Sequence, residues 1–528
     1  MSSASERRLK LLLQHLGRNP SSATVDDRAW TEASTDFSSG PFTPVLSESN
    51  DMVCHVEGKI PSDLCGIYMK NGPNPQFPPK KDEPYHFFDG DGMIVSFQFF
   101  PEENKCVFNH KYVHTERFLS DQKNKKSAYE FGSMAVGKLP DYSLVVNEQG
   151  IRMGKANTAL LYHQNKLYAL EDADLPYQLE VGSLKTIGRT DFNGTWKHNI
   201  FTAHPKLDPE TGELIGYGCA YGASPVCKWE YSVISPQTGT CVRNFPIHLR
   251  NTSYNHDFAA TKNYSICYDG NLVLNFDAFG QPGKDMWEFR RDIPGRIGVF
   301  PRYATDESSV KWFEVPPYCV SHTANAYEEG NEVVIVANCI GFESFKPKFP
   351  RETPTDPDAK LREWRLNLQT GEVKEQSLRW TRSDFPVINP KFAGKRFRYL
   401  YAQLIDYEEP NHAPYLYGTY KYDLVTRTHK EIIWGGGKKG RKGRAKFMGC
   451  EAFFVAKKNS QREDDGYLIV IVNNMDKKQT ELRVYDASTF GNSMRDDPLV
   501  RVVCPRRLMP LGTHGLWLSE EDVLNAKQ

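Results

Sequence analysis

Short runs of β-branched and aromatic residues, about four to eight residues long, follow one another from about residue 53 onward. Glycine, asparagine, aspartate and proline separate these runs, which is the pattern of β-strands joined by tight turns. The clearest predicted hairpins are LLYHQNKLYAL, SICYDGNLVLNF, NEVVIVANCI and YLIVIVNNMDKKQTELRVY. Helical periodicity is scarce in this region, so the sequence predicts an all-β protein.

A turn signature recurs between predicted strands, in Asp208–Glu213, Ser235–Thr240 and Asn367–Glu372. Each copy carries Gln-Thr-Gly or Glu-Thr-Gly, and the glycine suits a positive φ. Many antiparallel hairpins without a strict period are typical of a β-propeller whose blades have diverged. A β-sandwich of this length would need far longer cross-connections, and it is the second alternative.

The first 50 residues differ from the rest. Residues 1–20 combine leucines with arginines and lysine, which suits a short basic amphipathic helix on a membrane surface or docked on the protein's own core. A Ser- and Pro-rich linker follows, so we expect residues 1–50 to form an arm and residues 51–528 to form a single propeller domain. No signal peptide, transit peptide or transmembrane helix is evident, and we expect a cytoplasmic protein.

Charge and cysteine content narrow the possible functions. Lys+Arg and Asp+Glu both number 66, so no global charge attracts nucleic acid. Eleven cysteines without a CxxC pair are typical of reduced thiols in an intracellular protein. The glycine-rich basic segment Trp434–Lys446, whose cations cluster at 438–446, is either a contact for anionic lipid or a solvated loop. The proline-rich segment Phe345–Pro357 is predicted as a surface crossover.

Four histidines share a context of strand residues with small or aromatic neighbours: His204 in FTAHPKLD, His256 in YNHDFA, His322 in CVSHTANAY and His514 in LGTHGLWL. The gaps between them are far too long for a zinc finger or an HExxH helix. In a propeller, however, each blade sends its innermost strand to the axis, where imidazoles from different blades can meet. Four nitrogen ligands would suit a first-row metal, with iron, copper and zinc all open.

The segment Tyr254–Ile266 reads as one strand that carries His256. Side chains alternate between the two faces of a strand, so Asp257 would point away from His256. We therefore do not expect Asp257 to be the partner of this imidazole.

These four segments, in this order, resemble the iron-ligand segments of the carotenoid cleavage oxygenase family, and the plant-type carotenoid and apocarotenoid enzymes most of all. The resemblance extends to NGPNPQF, YHFFDGDGMI, ANTALLYH, FTAHPKLDPETGE, EEGNEVVIVA and EDDGYLIVIV. It implies a seven-bladed β-propeller with a helical and loop cap over an axial Fe²⁺ held by the four histidines. It also implies O2-dependent cleavage of a conjugated double bond into two carbonyl products.

The family orients its imidazole ligands with three glutamates. Glu451 matches one of them, and Asp384 falls where many members have Glu and some plant members have Asp. The third position falls on Asp172, preceded by Glu171. Either Asp172 serves after a small backbone adjustment, or a bulge turns Glu171 inward.

Two further residues resemble positions of the family's substrate and O2 pocket. Thr158 matches a threonine whose methyl limits what binds at a vacant iron position. Phe131 resembles an aromatic residue that lines the substrate tunnel and could stabilise positive charge on the polyene. The related stilbene-cleaving enzymes carry a phenol-binding lysine where this chain has Glu171, which favours carotenoids or apocarotenoids.

The implied partners are an apolar polyene, O2 and, transiently, a membrane surface, and we expect a monomer. Three alternatives stay open: a stilbenoid-cleaving oxygenase, a retinoid isomerase on the same scaffold, and a propeller that binds ligands without catalysis.

Overall fold

The computed structural model of the protein describes residues 42–78, 87–127, 152–219, 227–275, 287–340, 360–379, 381–406, 415–435, 447–493, 496–508 and 512–526. The helix predicted in residues 1–20, Phe131, the crossover Phe345–Pro357 and most of the segment Trp434–Lys446 lie outside these ranges. In the described part, none of the helices is long and apolar enough to cross a membrane.

Seven antiparallel sheets of four to six strands form the blades of a propeller. Blade one comprises β1 (Ser49–Val53), β3 (Gly66–Pro73), β4 (Gly92–Phe100), β5 (Lys105–Tyr112) and β33 (Gly515–Ser519). Blade two comprises β6 (Ala159–His163), β7 (Lys166–Leu170), β8 (Tyr177–Leu179) and β9 (Thr186–Arg189). Blade three comprises β10 (Lys206–Leu207), β11 (Leu214–Cys219), β12 (Lys228–Ile234) and β13 (Cys241–His248).

Blades four to six are also four-stranded. Blade four comprises β14 (Ala259–Ala260), β15 (Tyr264–Asp269), β18 (Gly295–Pro301) and β19 (Lys311–Val315). Blade five comprises β20 (Val320–Glu329), β21 (Glu332–Cys339), β22 (Lys360–Asn367) and β23 (Val373–Arg379). Blade six comprises β24 (Ser383–Val387), β25 (Tyr399–Asp406), β26 (Tyr415–Asp423) and β27 (Thr428–Ile433).

Blade seven and the remaining elements complete the described structure. Blade seven comprises β2 (His55–Gly58), β28 (Phe447–Gly449), β29 (Phe453–Ala456), β30 (Gly466–Asn474), β31 (Gln479–Asp486) and β32 (Val500–Val503). A separate two-stranded sheet pairs β16 (Leu272–Leu274) with β17 (Trp287–Phe289), and the described helices are α1 (Glu116–Asn124) and α2 (Glu520–Asn525). The prediction of a seven-bladed all-β propeller is confirmed.

Two blades close the ring by joining strands from opposite ends of the chain. In blade one, β3 pairs antiparallel with β33, with Lys70 opposite Gly515. In blade seven, β2 pairs with β32, with His55 opposite Val503. The innermost strands of neighbouring blades contact one another, as β33 does with β6 and β20 does with β24.

Most of the hydrophobic core lies between the faces of adjacent blades. All nine residues of β30 are buried, which explains the near-continuous apolar run GYLIVIV. Between blades four and five, Ile266 and Val299 pack in one cluster with Ile335 and Trp364. Burying each such side chain contributes about 1.5 to 3 kcal/mol, so the contacts between blades fix the radial arrangement of their inner strands.

The local predictions are partly confirmed. The hairpins β6–β7 and β30–β31 form as predicted, and the turn glycines Gly212, Gly239 and Gly371 all have positive φ. NEVVIVANCI is the single strand β21 rather than a hairpin. The hairpin predicted for SICYDGNLVLNF is wrong, because β15 pairs with β14 and β18 while β16 pairs with β17.

A continuous strand over Tyr254–Ile266 is also wrong, since the only strand residues there belong to β14 and the start of β15. The backbone before β14 is bonded largely to side chains and other segments instead of to a ladder. The Tyr217 hydroxyl donates to the Asn255 carbonyl, and the Phe258 amide donates to the Asp257 carboxylate.

The expectation that every thiol is reduced is wrong at one place. Cys219, at the end of β11, forms a disulfide with Cys227, just before β12. Because β11 and β12 are antiparallel neighbours, residues eight apart in sequence meet there, with 6.7 Å between their Cα atoms. Cys54, Cys106, Cys241, Cys267, Cys450 and Cys504 are not disulfide-bonded.

Candidate metal centre

The four histidines singled out in the sequence lie together where the inner strands meet. His204, His256 and His514 each precede an inner strand, respectively β10, β14 and β33, and His322 lies within β20. One nitrogen from each ring lies within 4.8 Å of the corresponding nitrogen of the other three. The Nε2 atom of His256 is 3.0 Å from that of His204 and 3.2 Å from that of His322.

Three of the four rings point their other nitrogen at a carboxylate. The Nδ1 atom of His256 lies 2.5 Å from Asp172 Oδ2, that of His322 2.8 Å from Asp384 Oδ1, and that of His514 2.9 Å from Glu451 Oε1. A carboxylate accepts the Nδ1 proton, so the lone pair of each neutral ring is on Nε2. These lone pairs face one another, an arrangement that is repulsive unless a cation lies between them.

The donor set therefore fits a metal ion. Imidazole nitrogen suits zinc, copper, iron and nickel, and four neutral ligands with no thiolate leave room for further ligands on a first-row ion. The burial of the rings works in the same direction. Burial and the neighbouring imidazoles hold the pKa of His204 well below its ordinary value, so that the ring stays neutral and able to ligate.

The acid on His256 is Asp172, and Glu171 faces elsewhere. Asp172 also accepts a hydrogen bond from the backbone amide of Ala203, 2.9 Å away, and thereby links His256 to the residue before His204. The Glu171 carboxylate instead accepts from the Lys155 amide at 2.7 Å. Burial raises the pKa of Glu171 to about 7, in spite of the nearby Lys155 ammonium.

Asp384 is held in place by three donors. Besides the His322 ring, it accepts from the Ser321 hydroxyl at 2.9 Å and from the Phe385 amide at 2.8 Å. Burial opposes ionisation of Asp384, but the His322 ring and these hydrogen bonds leave its pKa below the ordinary value. Burial likewise opposes protonation of His322, yet the charge of Asp384 raises the pKa of that ring.

Glu451 has a cation beside it. The ammonium of the fully buried Lys70 lies 3.4 Å from Glu451 Oε2 and 3.1 Å from the Glu451 carbonyl oxygen. The Gly515 amide donates to the same carboxylate at 2.8 Å. Although burial raises it, the pKa of Glu451 falls to about 2 because His514 and Lys70 stabilise the charged form. Burial lowers the pKa of His514 itself, against the opposing effect of Glu451.

Of the two predicted pocket residues, the structure describes one. Thr158 precedes β6, and its backbone carbonyl accepts a hydrogen bond from the hydroxyl of Thr513, the residue before His514. This contact joins the Thr158 backbone to the segment that carries His514. Phe131 lies outside the described residues.

Two residues near the centre, Phe385 and Asp257, have contacts that the sequence does not predict. Phe385 has a φ of 57°, a conformation that non-glycine residues rarely adopt, and its ring stacks on His322 with centroids 5.0 Å apart. Asp257 accepts hydrogen bonds from Lys206 and from the Thr323 amide. Neither contact leaves a local signal, because each joins segments that are distant in sequence.

The chain matches one protein family, described as retinal pigment epithelial membrane protein, over residues 42–519. It is 33% identical over 517 residues to a carotenoid 9,10(9',10')-cleavage dioxygenase from Crocus sativus. The alignment covers 92% of this chain and 90% of that protein.

Solved structures share the fold over nearly their whole length. A lignostilbene dioxygenase from Pseudomonas brassicacearum superposes with a TM-score of 0.78 at 25% identity, covering 92% of this chain and 98% of that chain. An apocarotenoid oxygenase from Synechocystis superposes with a TM-score of 0.75 at 25% identity, covering 91% and 98%.

Proposed function

The chain belongs to the retinal pigment epithelial membrane protein family, which includes the carotenoid oxygenases, and we propose that it is an Fe²⁺-dependent dioxygenase. Its reaction is the cleavage of one conjugated double bond of a carotenoid or apocarotenoid by O2, which gives two carbonyl products. The predicted family resemblance is confirmed.

One observation carries the proposal: four imidazoles converge on the propeller axis, three of them backed by carboxylates. A propeller that only binds a ligand has no need of nitrogen lone pairs that face one another. We propose His204, His256, His322 and His514 as the iron ligands, and Asp172, Asp384 and Glu451 as the acids that orient three of them. Asp172 supports this role through its contact with His256, and Glu171 has no such contact among the described residues.

The protein's own part in the chemistry is to position groups and exclude water. Ferrous iron, when bound, supplies the electrons that make O2 reactive toward an electron-rich alkene. Asp172, Asp384 and Glu451 each hold an Nδ1 proton and so keep the opposite nitrogen of the ring directed at the axis. No side-chain acid or base is required, and the depth to which the polyene enters selects the bond that is cleaved.

The substrate class rests on the residues next to the centre. Glu171 is buried and bonded to the Lys155 backbone, so this position offers no cation to a phenol. This supports an apolar polyene over a hydroxystilbene. We propose that the Thr158 methyl limits access to one vacant iron position and that Phe131 lines the polyene tunnel.

A single incubation series tests the proposal. Iron-loaded protein is mixed in parallel with β-carotene, an apocarotenal and resveratrol under isotopically labelled O2, and the products are analysed by mass spectrometry. We expect labelled aldehydes or ketones from a carotenoid or apocarotenal. Carbonyl products without label, or none, would contradict the oxygenase, and cleavage of resveratrol alone would point to the stilbenoid alternative. A geometric isomer as product would point to an isomerase.

We also propose that the protein is a cytoplasmic monomer that draws its substrate from a membrane surface, with residues 51–528 as one catalytic unit and residues 1–50 as an arm. A long apolar polyene partitions into membranes, which supports a peripheral association. The end of the arm docks on the propeller, where Phe42 is buried beside Tyr415 with ring centroids 6.2 Å apart. Deleting residues 1–20 should reduce recovery with membranes, and unchanged recovery would contradict the anchor.

A further inference from the structure

We propose that Asp257 is a positioning residue that ties together the three inner segments carrying His204, His256 and His322. It fixes the spacing of these three ligands without contacting an imidazole itself. This role rests on the proposed metal centre. Asp257 holds the backbone of the ligand segments, whereas the acids on Nδ1 hold the imidazole rings.

The hydrogen bonds of Asp257 reach all three segments. Its Oδ1 atom accepts from the Lys206 ammonium at 2.5 Å, two residues beyond His204. The same oxygen accepts from the Phe258 amide at 2.7 Å, within its own segment. Its Oδ2 atom accepts from the Thr323 amide at 2.7 Å, and Thr323 directly follows His322.

The bond to Thr323 lies where the sheet ladder is irregular. The register between β20 and β21 shifts on both sides of His322 and Thr323, between Val320 and His322 and again between Thr323 and Asn325. Such bulges re-aim side chains and release backbone groups from the ladder. Asp257 bonds the Thr323 amide at this point, so the bulged position of His322 is held by a side chain from the neighbouring blade.

The segment before β14 also depends on Asp257 to hold its backbone in place. Residues 254–258 form no strand, so no continuous ladder fixes the backbone of His256. The carboxylate of Asp257 bonds its own following amide and thereby fixes the turn into β14. The carboxylate is therefore the shared anchor of two irregular ligand-bearing segments.

Lys206 makes this buried anchor possible. Asp257 is 3% exposed, and an isolated charge at such burial is costly unless it is paired. The ammonium of Lys206 supplies the pair and also lies 5.5 Å from the centre of the Phe258 ring. Asp257→Asn would remove this pairing, because an amide offers one acceptor oxygen and turns an NH2 group toward either Lys206 or Thr323, both of which are donors.

Asp269 offers a matched control. It is equally buried at 3% and is bonded to one cation, Arg296 at 2.6 Å, and to one backbone amide, Arg250 at 2.8 Å, where Asp257 has one cation and two backbone amides. It lies in blade four, on β15, and also accepts from the Ser253 hydroxyl at 3.5 Å, three residues before His256. Among the described residues, its partners Arg296, Arg250 and Ser253 all lie more than two positions from a histidine ligand. Asp269→Asn therefore reproduces the loss of a buried, paired carboxylate without touching the ligands.

The experiment measures Co²⁺ binding to the full-length protein, followed by visible absorption of the bound ion, together with the midpoint of thermal unfolding. We expect Asp257→Asn to weaken Co²⁺ binding about 10- to 100-fold and to alter the absorption bands, as changes one layer out from a metal do. Asp269→Asn should lower the unfolding midpoint at least as much and leave both affinity and spectrum unchanged. Equal affinities for the two variants would overturn the inference.

A double variant separates positioning from general damage. In Asp257→Asn with Lys206→Met, the ammonium no longer competes for the amide oxygen. The Phe258 and Thr323 amides remain as donors, and the oxygen can turn to the Thr323 amide without leaving a buried cation unpaired. We expect the double variant to regain part of the Co²⁺ affinity lost by Asp257→Asn alone, and no recovery would count against the bond to Thr323. If the wild-type protein itself binds no Co²⁺, the proposed metal centre fails instead.

Discussion

Histidines are partly or fully buried both at the metal centre and in the interior of blade one, yet the two environments have opposite consequences. At the centre, His256, His322 and His514 each have a carboxylate on Nδ1 and converge through Nε2. His110, on β5, is fully buried, and neither of its ring nitrogens has a hydrogen-bond partner among the residues that the structure describes. Burial, with Arg506 and Arg507 nearby, lowers the pKa of His110 to about 3.

The difference shows that burial of an imidazole does not by itself indicate a site. His110 also has an aromatic neighbour, Phe108, as His322 has Phe385. What distinguishes the centre is directional: one nitrogen of each backed ring is satisfied by an acid and the other points at a shared space. Each of the following changes tests one part of that distinction.

Removing one imidazole from each environment should give the largest contrast. His256→Ala should lower product formation by more than about 100-fold, because even partners one layer out from a metal are worth about 10- to 100-fold. His110→Phe should leave activity unchanged, since that ring faces no ligand. The measurements are iron content and turnover of the purified proteins. Retained activity in His256→Ala would refute the ligand assignment.

Neutralising the acid behind a ligand should have the next largest effect. Asp172→Asn keeps an acceptor for His256 but removes the negative charge, and we expect metal affinity to fall about 10- to 100-fold. Glu171→Gln, one residue earlier, should leave metal affinity unchanged because that side chain bonds the Lys155 backbone. Competition with a metal chelator gives both affinities. A larger loss in Glu171→Gln would reverse the choice between the two acids.

The buried His110 ring, which has no hydrogen-bond partner among the described residues, should make the protein sensitive to acid. The pKa of His110 is about 3 in the folded protein and 6.5 ordinarily, so the unfolded chain binds the proton more readily as pH falls below 6.5. The stability that depends on the neutral His110 ring is fully present above pH 6.5, and the free energy of unfolding falls by about 2 kcal/mol on going to pH 5.

His110→Phe should remove that part of the pH dependence. Denaturant unfolding at pH 7.5 and pH 5.0 gives the difference between wild type and variant. The same loss of stability in both proteins would show that other groups cause the acid sensitivity.

The smallest effect is expected from the aromatic neighbours. Phe385→Leu removes the ring that stacks on His322, a contact worth about 0.5 to 1.5 kcal/mol, and should weaken metal binding by a few-fold at most. Phe108→Leu removes the ring beside His110 and should change stability alone. Co²⁺ titration and thermal unfolding of both variants separate these outcomes, and a change of metal affinity in Phe108→Leu would contradict the distinction between the environments.

The sequence predicts most of what is local in this structure. Turn glycines such as Gly212 and the hairpin β30–β31 follow from residue types that act over a few positions. The four histidines could be singled out because each lies in a short motif with its own character. Their convergence follows once the chain is assigned to a radial fold.

Contacts between distant segments could not be predicted. Nothing near Cys219 indicates its bond to Cys227, because that pairing depends on the register of β11 and β12. Tertiary contacts also decide three other features: the pairing of β15 and β16 with strands other than each other, the positive φ of Phe385, and the hydrogen bond of Asp257 to the Thr323 amide. The disulfide joins residues only eight apart, but the Thr323 partner of Asp257 lies 66 residues away in another blade.

Closure of blade one by β33 has a consequence for the order in which the protein is made. The inner edge of β3 is synthesised early, but its partner β33 follows every other strand that the structure describes. At about 5 to 20 residues per second, the ribosome needs roughly 20 to 90 s to cover that interval. His514 directly precedes β33, so we expect nascent chains to expose an unpaired sheet edge, and to lack a complete set of ligands, until the last blade contact is translated.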